Sequence, residues 1–295
     1  MLVAFALCVW LGLSHAQAAD APGGSLETAT LRGSQDFELT VNAPLLYATG
    51  VVRDTTGASL GDRPDLHANP DLVLKWTRQM PTVRLAASIG LLADRYSKFE
   101  AGGSNGVQAR LKLAWTDGVS DLLIPYALYV GAVDYSGDLR SRDDVLQDVA
   151  FGVASAIGFD QGGEPIAYRD TSEPGQSWIS LDMRAGRRFA DPRDLQNLFV
   201  TASVEFGGNL GGNVAFGLTP VVRARLYESY HGRSRRDLRV GGLARLAWTP
   251  AWLKTILPRS ELSFGLGHYR TFSSLRVAAG RQWEVGPALE FGQKF

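Results

Sequence analysis

Residues 282–295 read QWEVGPALEFGQKF, and this stretch decides the fold. Its apolar residues fall on every second position, with small or charged residues between them. They are Trp283, Val285, Pro287, Leu289 and Phe291. Successive side chains of a β-strand point to opposite faces, so this strand would have one apolar face and one polar face. Such a strand suits a wall between lipid and a wet interior, and we predict a transmembrane β-strand here.

The same period-two pattern recurs along the whole chain. Most of the segments reach the roughly 9 to 11 residues that a tilted strand needs to cross a membrane. We therefore predict an all-β fold, a closed antiparallel transmembrane β-barrel of about 12 strands within a range of about 10–14. The candidate strands are 35–47, 71–78, 83–96, 107–117, 122–134, 147–159, 177–189, 197–207, 213–228, 237–248, 261–272 and 282–295.

This pattern resembles the Gram-negative outer-membrane β-barrels, in which both chain termini lie in the periplasm. The resemblance covers the alternating strands, aromatic residues near the strand ends, and the terminal Phe295. It implies a location in the outer membrane of a Gram-negative bacterium, with outer-membrane lipids and lipopolysaccharide as partners. It also implies that Phe295 serves as a signal to the barrel-assembly machinery.

The N-terminus predicts export. Residues 2–13 form a short apolar stretch, and Ala16-Gln17-Ala18 has the small-x-small pattern of a signal-peptidase site. We predict a signal peptide at 1–18, a periplasmic segment at 19–34 and an outer-membrane barrel at 35–295. Cys8, the only cysteine, lies within the signal peptide, so the mature chain would have no thiol.

Charge and composition narrow the function. Thirty Lys and Arg balance thirty Asp and Glu, and a formal net charge of zero gives no basic face for nucleic acid. No His, Asp or Glu cluster has the spacing of metal ligands, and a structural zinc site would need cysteine. We predict no cofactor, no metal site and no nucleic-acid partner.

The interior face is predicted to be rich in charge, because the positions between the outward apolar residues carry many arginines and carboxylates. A charge inside a barrel must be paired or hydrated. Two arrangements satisfy this need: ion pairs that largely fill the lumen, or charges that line an aqueous pore. Arg223 and Arg225 beside Arg239 and Arg245 would form a basic strip that favours anions. The predicted pore-lining residues are Arg84, Arg110, Lys112, Arg184, Arg223, Arg225, Arg239, Arg245, Asp182, Glu205, Glu284 and Glu290.

Three function hypotheses follow. The first is a porin-like channel for small solutes with an arginine-rich lumen that favours anions. The alternative is an occluded structural or interaction barrel. An outer-membrane lipid-modifying enzyme ranks below both, because His67, His231 and His268 have no recognisable nucleophile arrangement, and no catalytic residue is predicted.

One connection fits the barrel pattern poorly. Residues 160–176 should form a periplasmic turn but are long. Either this segment forms a small periplasmic element, or the strand count is wrong by one pair.

Overall fold

The computed structural model describes residues 35–294 except 51, 54–58, 62–63, 99–102, 117–121, 137–141, 169–170, 172, 231 and 257–258. The predicted signal peptide (1–18), the predicted periplasmic segment (19–34), Phe295 and His231 lie outside the described residues.

The described residues form sixteen strands, four of them with two to four residues. In chain order they are β1 (Gln35–Gly50), β2 (Val52–Arg53), β3 (Ser59–Gly61), β4 (Asp65–Ala68), β5 (Asp71–Gln79), β6 (Val83–Tyr96), β7 (Ser104–Trp115), β8 (Ile124–Ser136), β9 (Arg142–Phe159), β10 (Pro165–Ile166), β11 (Ser177–Asp191), β12 (Asn197–Gly211), β13 (Val214–Tyr230), β14 (Arg233–Trp248), β15 (Arg259–Ser273) and β16 (Gly280–Lys294).

The long strands form a closed antiparallel barrel. Each pairs with the next long strand along the chain, and β16 pairs with β1 from Lys294 opposite Glu38 to Gln282 opposite Gly50. Strands β4 and β5 both pair with β1 and β6, so together they form one wall element, interrupted at Asn69 and Pro70. The predicted closed barrel of twelve strands is therefore confirmed. We call the end at which β1 begins and β16 ends the lower end.

Alternation along the strands separates two environments. One parity presents large exposed apolar side chains on the outer surface, among them Leu111, Val222 and Leu246. An exposed apolar surface that continues around the barrel is the band that lipid chains cover. The other parity faces the interior and carries most of the charged residues within the strands.

Helical structure is sparse. No α-helix in the described part of the chain is long and apolar enough to cross a membrane. The helix α1 (Ala251–Ile256) has 6 residues and lies between β14 and β15.

The structure resolves the long connection and corrects one placement. The strand count stays at twelve, and residues 160–176 contain the short strand β10, which pairs with the end of β9. His67 lies between the predicted strands 35–47 and 71–78, but the structure places it in β4, buried against the ring of Tyr96. The reason is that strand pairing continues above the break at Pro70, where β4 joins β1 and β6.

Candidate functional site: the barrel lumen

The lower half of the lumen contains a cavity of about 240 Å³. Five of the predicted pore-lining residues meet in its wall, together with Lys75. The basic side chains come from β5, β6 and β7, while the carboxylates come from β11 and β12. The charged lining residues are Lys75, Arg84, Arg110, Lys112, Asp182 and Glu205.

Aromatic residues hold the charged groups of this cavity. The Tyr126 hydroxyl donates a 2.8 Å hydrogen bond to Oδ2 of Asp182, and the Lys112 ammonium lies 4.1 Å from the centre of the same ring. The indole of Trp178 donates to Oε1 of Glu205 at 3.3 Å. The aromatic rings therefore fix the position of both carboxylates and of one cation. Neither Tyr126 nor Trp178 was singled out from the sequence.

Between the basic and acidic walls lies an apolar wall that the sequence analysis missed. The inward residues of β8, including Ile124, Leu128 and Val130, pack with Ala150 and Ala154 of β9. Cross-strand pairing sets Val130 opposite Arg110 and Leu128 opposite Lys112, so the cations border this apolar surface directly.

The upper half of the lumen contains a buried ion pair. Nε and Nη2 of Arg188 each donate a 2.7 Å hydrogen bond to a different carboxylate oxygen of Asp148. Leu146 and Ala190 form the next inward pair above them, and Leu195 from the β11–β12 connection packs on both. This side of the upper lumen is therefore closed by packed side chains.

The predicted basic strip is present only in part. Arg223 and Arg239 are direct cross-strand neighbours, but Arg225 lies opposite Asp237. Arg239 stacks its guanidinium 4.2 Å from the ring of Tyr269.

Arg245 lies lower in the lumen, opposite Gly217, and its guanidinium is close to two carboxylates. It forms a salt bridge with Glu261, and its Nη2 is 3.7 Å from Oε2 of Glu290. Glu261 was not among the predicted pore-lining residues, although it is the first residue of the predicted strand 261–272.

The other predicted pore-lining residues also lie on the inward parity. Arg184 sits on β11 opposite Thr201, and Glu284 on β16 accepts a 2.7 Å hydrogen bond from the Gln282 amide. These two residues are not brought into the cavity of the lower half.

The described residues of the 160–176 connection pack against the inner surface at the lower end. Gly158 faces inward, and a side chain there would overlap Thr171 of this segment. The amide of Asn209 donates a 3.0 Å hydrogen bond to the Thr171 carbonyl, and the ring of Tyr168 meets Trp178 edge to face at 6.3 Å. The segment therefore covers part of the lumen below Trp178 instead of hanging free of the barrel.

His268 and the possible metal ligands complete the description of the site. His268 stacks on Trp283 with ring centres 4.1 Å apart, on the outward parity near the upper end. Within the described ranges, no group of three or more His, Cys, Asp or Glu side chains is arranged to hold a metal ion.

The closed barrel, its apolar outer face and its charged lumen together define a closed transmembrane β-barrel, the fold of the Gram-negative outer-membrane barrels. The predicted location, the outer membrane of a Gram-negative bacterium, agrees with this fold. The closed wall is the reason for this assignment. Each of the twelve described wall strands pairs on both sides, as backbone groups in a membrane require.

No family model matches this chain, and no curated protein matches its sequence. Among solved structures, an outer-membrane channel from Pseudomonas putida F1 is similar, with 11% identity, 93% of this chain and 100% of that chain covered, and a TM-score of 0.55. The KdgM porin (7% identity, 85% and 98% covered, TM-score 0.44) and LpxR from Salmonella typhimurium (9%, 86% and 99%, 0.44) are more distant. At these identities the likeness is one of fold.

Proposed function

We propose that this protein is a porin-like channel that passes small solutes and favours anions. The observation that carries the proposal is the cavity inside the barrel, where four basic side chains and two carboxylates line about 240 Å³ of space. A surplus of positive charge inside a low-dielectric wall attracts anions and lowers the barrier to their passage.

Two of the four cations are the strongest candidates for contact with a solute. Arg110 and Lys112 form no salt bridge with any residue that the structure describes. A fork of guanidinium donors beside an ammonium suits carboxylate or phosphate oxygens. We therefore assign the anion preference chiefly to Arg110 and Lys112, with the Arg223–Arg239 pair higher in the lumen as a second basic site.

A second candidate function is an occluded structural or interaction barrel. The observation that favours it is the closed upper side of the lumen, where Arg188 and Asp148 are 7% and 8% exposed beneath the Leu195 cluster. Under this alternative the cavity would hold water without connecting the two ends of the barrel.

The test is the reversal potential of the refolded protein in planar bilayers under a salt gradient. We expect a potential of the sign that marks anion preference. The double variant Arg110→Gln, Lys112→Gln should move it toward zero or toward cation preference, because two positive charges leave the lumen. The double variant Arg223→Ala, Arg225→Ala should also reduce anion preference, by a smaller amount.

A matched control removes two positive charges from outside the lumen. Arg187 and Arg236 lie on exposed, outward positions of β11 and β14. Arg187→Gln with Arg236→Gln should leave the reversal potential unchanged. Equal shifts in the control and in the Arg110 and Lys112 variant would show that the lumen charges do not set the selectivity.

A further inference from the structure

The cavity of the lower lumen has cations on one side and carboxylates on the other. Arg110 and Lys112 on β7 lie at one side, and Asp182 and Glu205 on β11 and β12 lie at the other. Strands β8 and β9 run between these sides and contribute the apolar lining residues Ile124 and Ala154, while Tyr126 of β8 contacts both Lys112 and Asp182. A molecule that fills the cavity therefore meets cations at one side and carboxylates at the other.

All four of these charged groups retain capacity for a ligand. Among the residues described, none of the four forms a salt bridge. Asp182 accepts one hydrogen bond, from Tyr126, and Glu205 accepts one, from Trp178. Because a carboxylate offers about four lone-pair sites, both have acceptor positions to spare.

The size of the cavity limits the ligand. Its volume is about 240 Å³. Pockets for drug-sized ligands start near roughly 300 Å³. A small, metabolite-sized molecule therefore fits this space.

We propose that this cavity is a binding site for a small zwitterion, with a carboxylate at Arg110 and Lys112, an ammonium at Asp182 and Glu205, and a short apolar segment along β8 and β9. The inference rests on the proposed channel function and names its solute class. A simple anion brings no positive charge to Asp182 and Glu205, and a simple cation meets the four basic side chains. Only a molecule with both charges at its two ends pairs both sides.

The test is isothermal titration calorimetry of the refolded mature protein in detergent with three probes of one length: 4-aminobutyrate, butyrate and butylammonium. We expect 4-aminobutyrate to bind with a dissociation constant at least about tenfold lower than either singly charged probe, since it gains one further charge pair. The double variant Asp182→Asn, Glu205→Gln should bring 4-aminobutyrate to the level of butyrate. The double variant Arg110→Gln, Lys112→Gln should bring it to the level of butylammonium.

The control Arg187→Gln keeps the lumen intact and should leave all three dissociation constants unchanged. Equal binding of 4-aminobutyrate and butyrate would overturn the proposal and leave a simple anion site, with which the proposed channel function is still compatible. Binding of none of the probes would also overturn it. Conductance is measured separately, so a protein that binds 4-aminobutyrate but passes no current would contradict the channel function and leave the binding site in place.

Discussion

The buried pair of Arg188 and Asp148 gives the sharpest quantitative prediction. The two side chains are 7% and 8% exposed and share two hydrogen bonds of 2.7 Å. Asp148→Ala removes the carboxylate and leaves the guanidinium in a site closed by the Leu195 cluster. Arg188 then loses the two hydrogen bonds to this carboxylate and cannot replace them with water in the closed site, so the variant should be strongly destabilised.

The expected loss is about 3–5 kcal/mol of unfolding free energy, the range for breaking a buried pair from one side. Replacing both partners with apolar residues of similar size, Asp148→Leu with Arg188→Met, should cost much less, because no charge is then stranded. The matched control is the salt bridge of Arg187 with Glu228, at 2.6 Å but with side chains 44% and 45% exposed. Glu228→Ala should cost about 0–1 kcal/mol, as for other surface pairs.

The assay is urea unfolding in phospholipid vesicles, followed by tryptophan fluorescence, with all variants in the same lipid. A loss below about 1 kcal/mol for Asp148→Ala, equal to that of the Glu228→Ala control, would refute the reasoning. That result would mean that water reaches Arg188 and that the upper lumen is open beside β9 and β11.

Three further predictions test other parts of the barrel. Gly207→Val should lower the unfolding free energy by about 1–3 kcal/mol, because the new side chain would overlap the Trp178 indole; an unchanged urea midpoint would contradict this contact. Residues 160–176 can be replaced with the two-residue turn Asn-Gly, because Phe159 and Ser177 already pair across the two strands. This replacement should raise single-channel conductance. An unchanged conductance would show that the segment does not narrow the path through the lumen. Val222→Arg, near the middle of β13, should cost about 2–4 kcal/mol in vesicles and Leu226→Arg, closer to the strand end, less; equal small costs would argue against lipid contact at Val222.

Much of the wall could be predicted from the sequence because alternation is a local property. The apolar parity of β16 and β13 marks the lipid face, and the residues between them mark the lumen. The turn at Gly211, Gly212 and Asn213 was also predictable, because glycine and asparagine tolerate positive φ. All three residues adopt positive φ where β12 turns into β13.

The arrangement inside the lumen could not be predicted in the same way. Strand β8 is apolar on both faces, with Tyr129 outward and Leu128 inward, so its sequence does not reveal which side meets lipid. Ion pairing depends on the register between strands that are distant in sequence, as for Arg188 and Asp148. The basic strip was overestimated for the same reason, because Arg245 finds Glu261 on the next strand.

The position of the 160–176 connection could not be predicted from the sequence either. Nothing in the composition of the segment shows that Thr171 lies over Gly158 on the lumen side. A glycine at an inward strand position is compatible with either an open lumen or a covering segment, and only the tertiary packing decides between them.

The most direct test of the proposed function is the single-channel current of the refolded wild-type protein in a planar bilayer with a salt gradient. An anion-favouring channel predicts stable current steps and a reversal potential of the sign for anion preference. A correctly folded barrel that carries no current, or one that prefers cations, would contradict it.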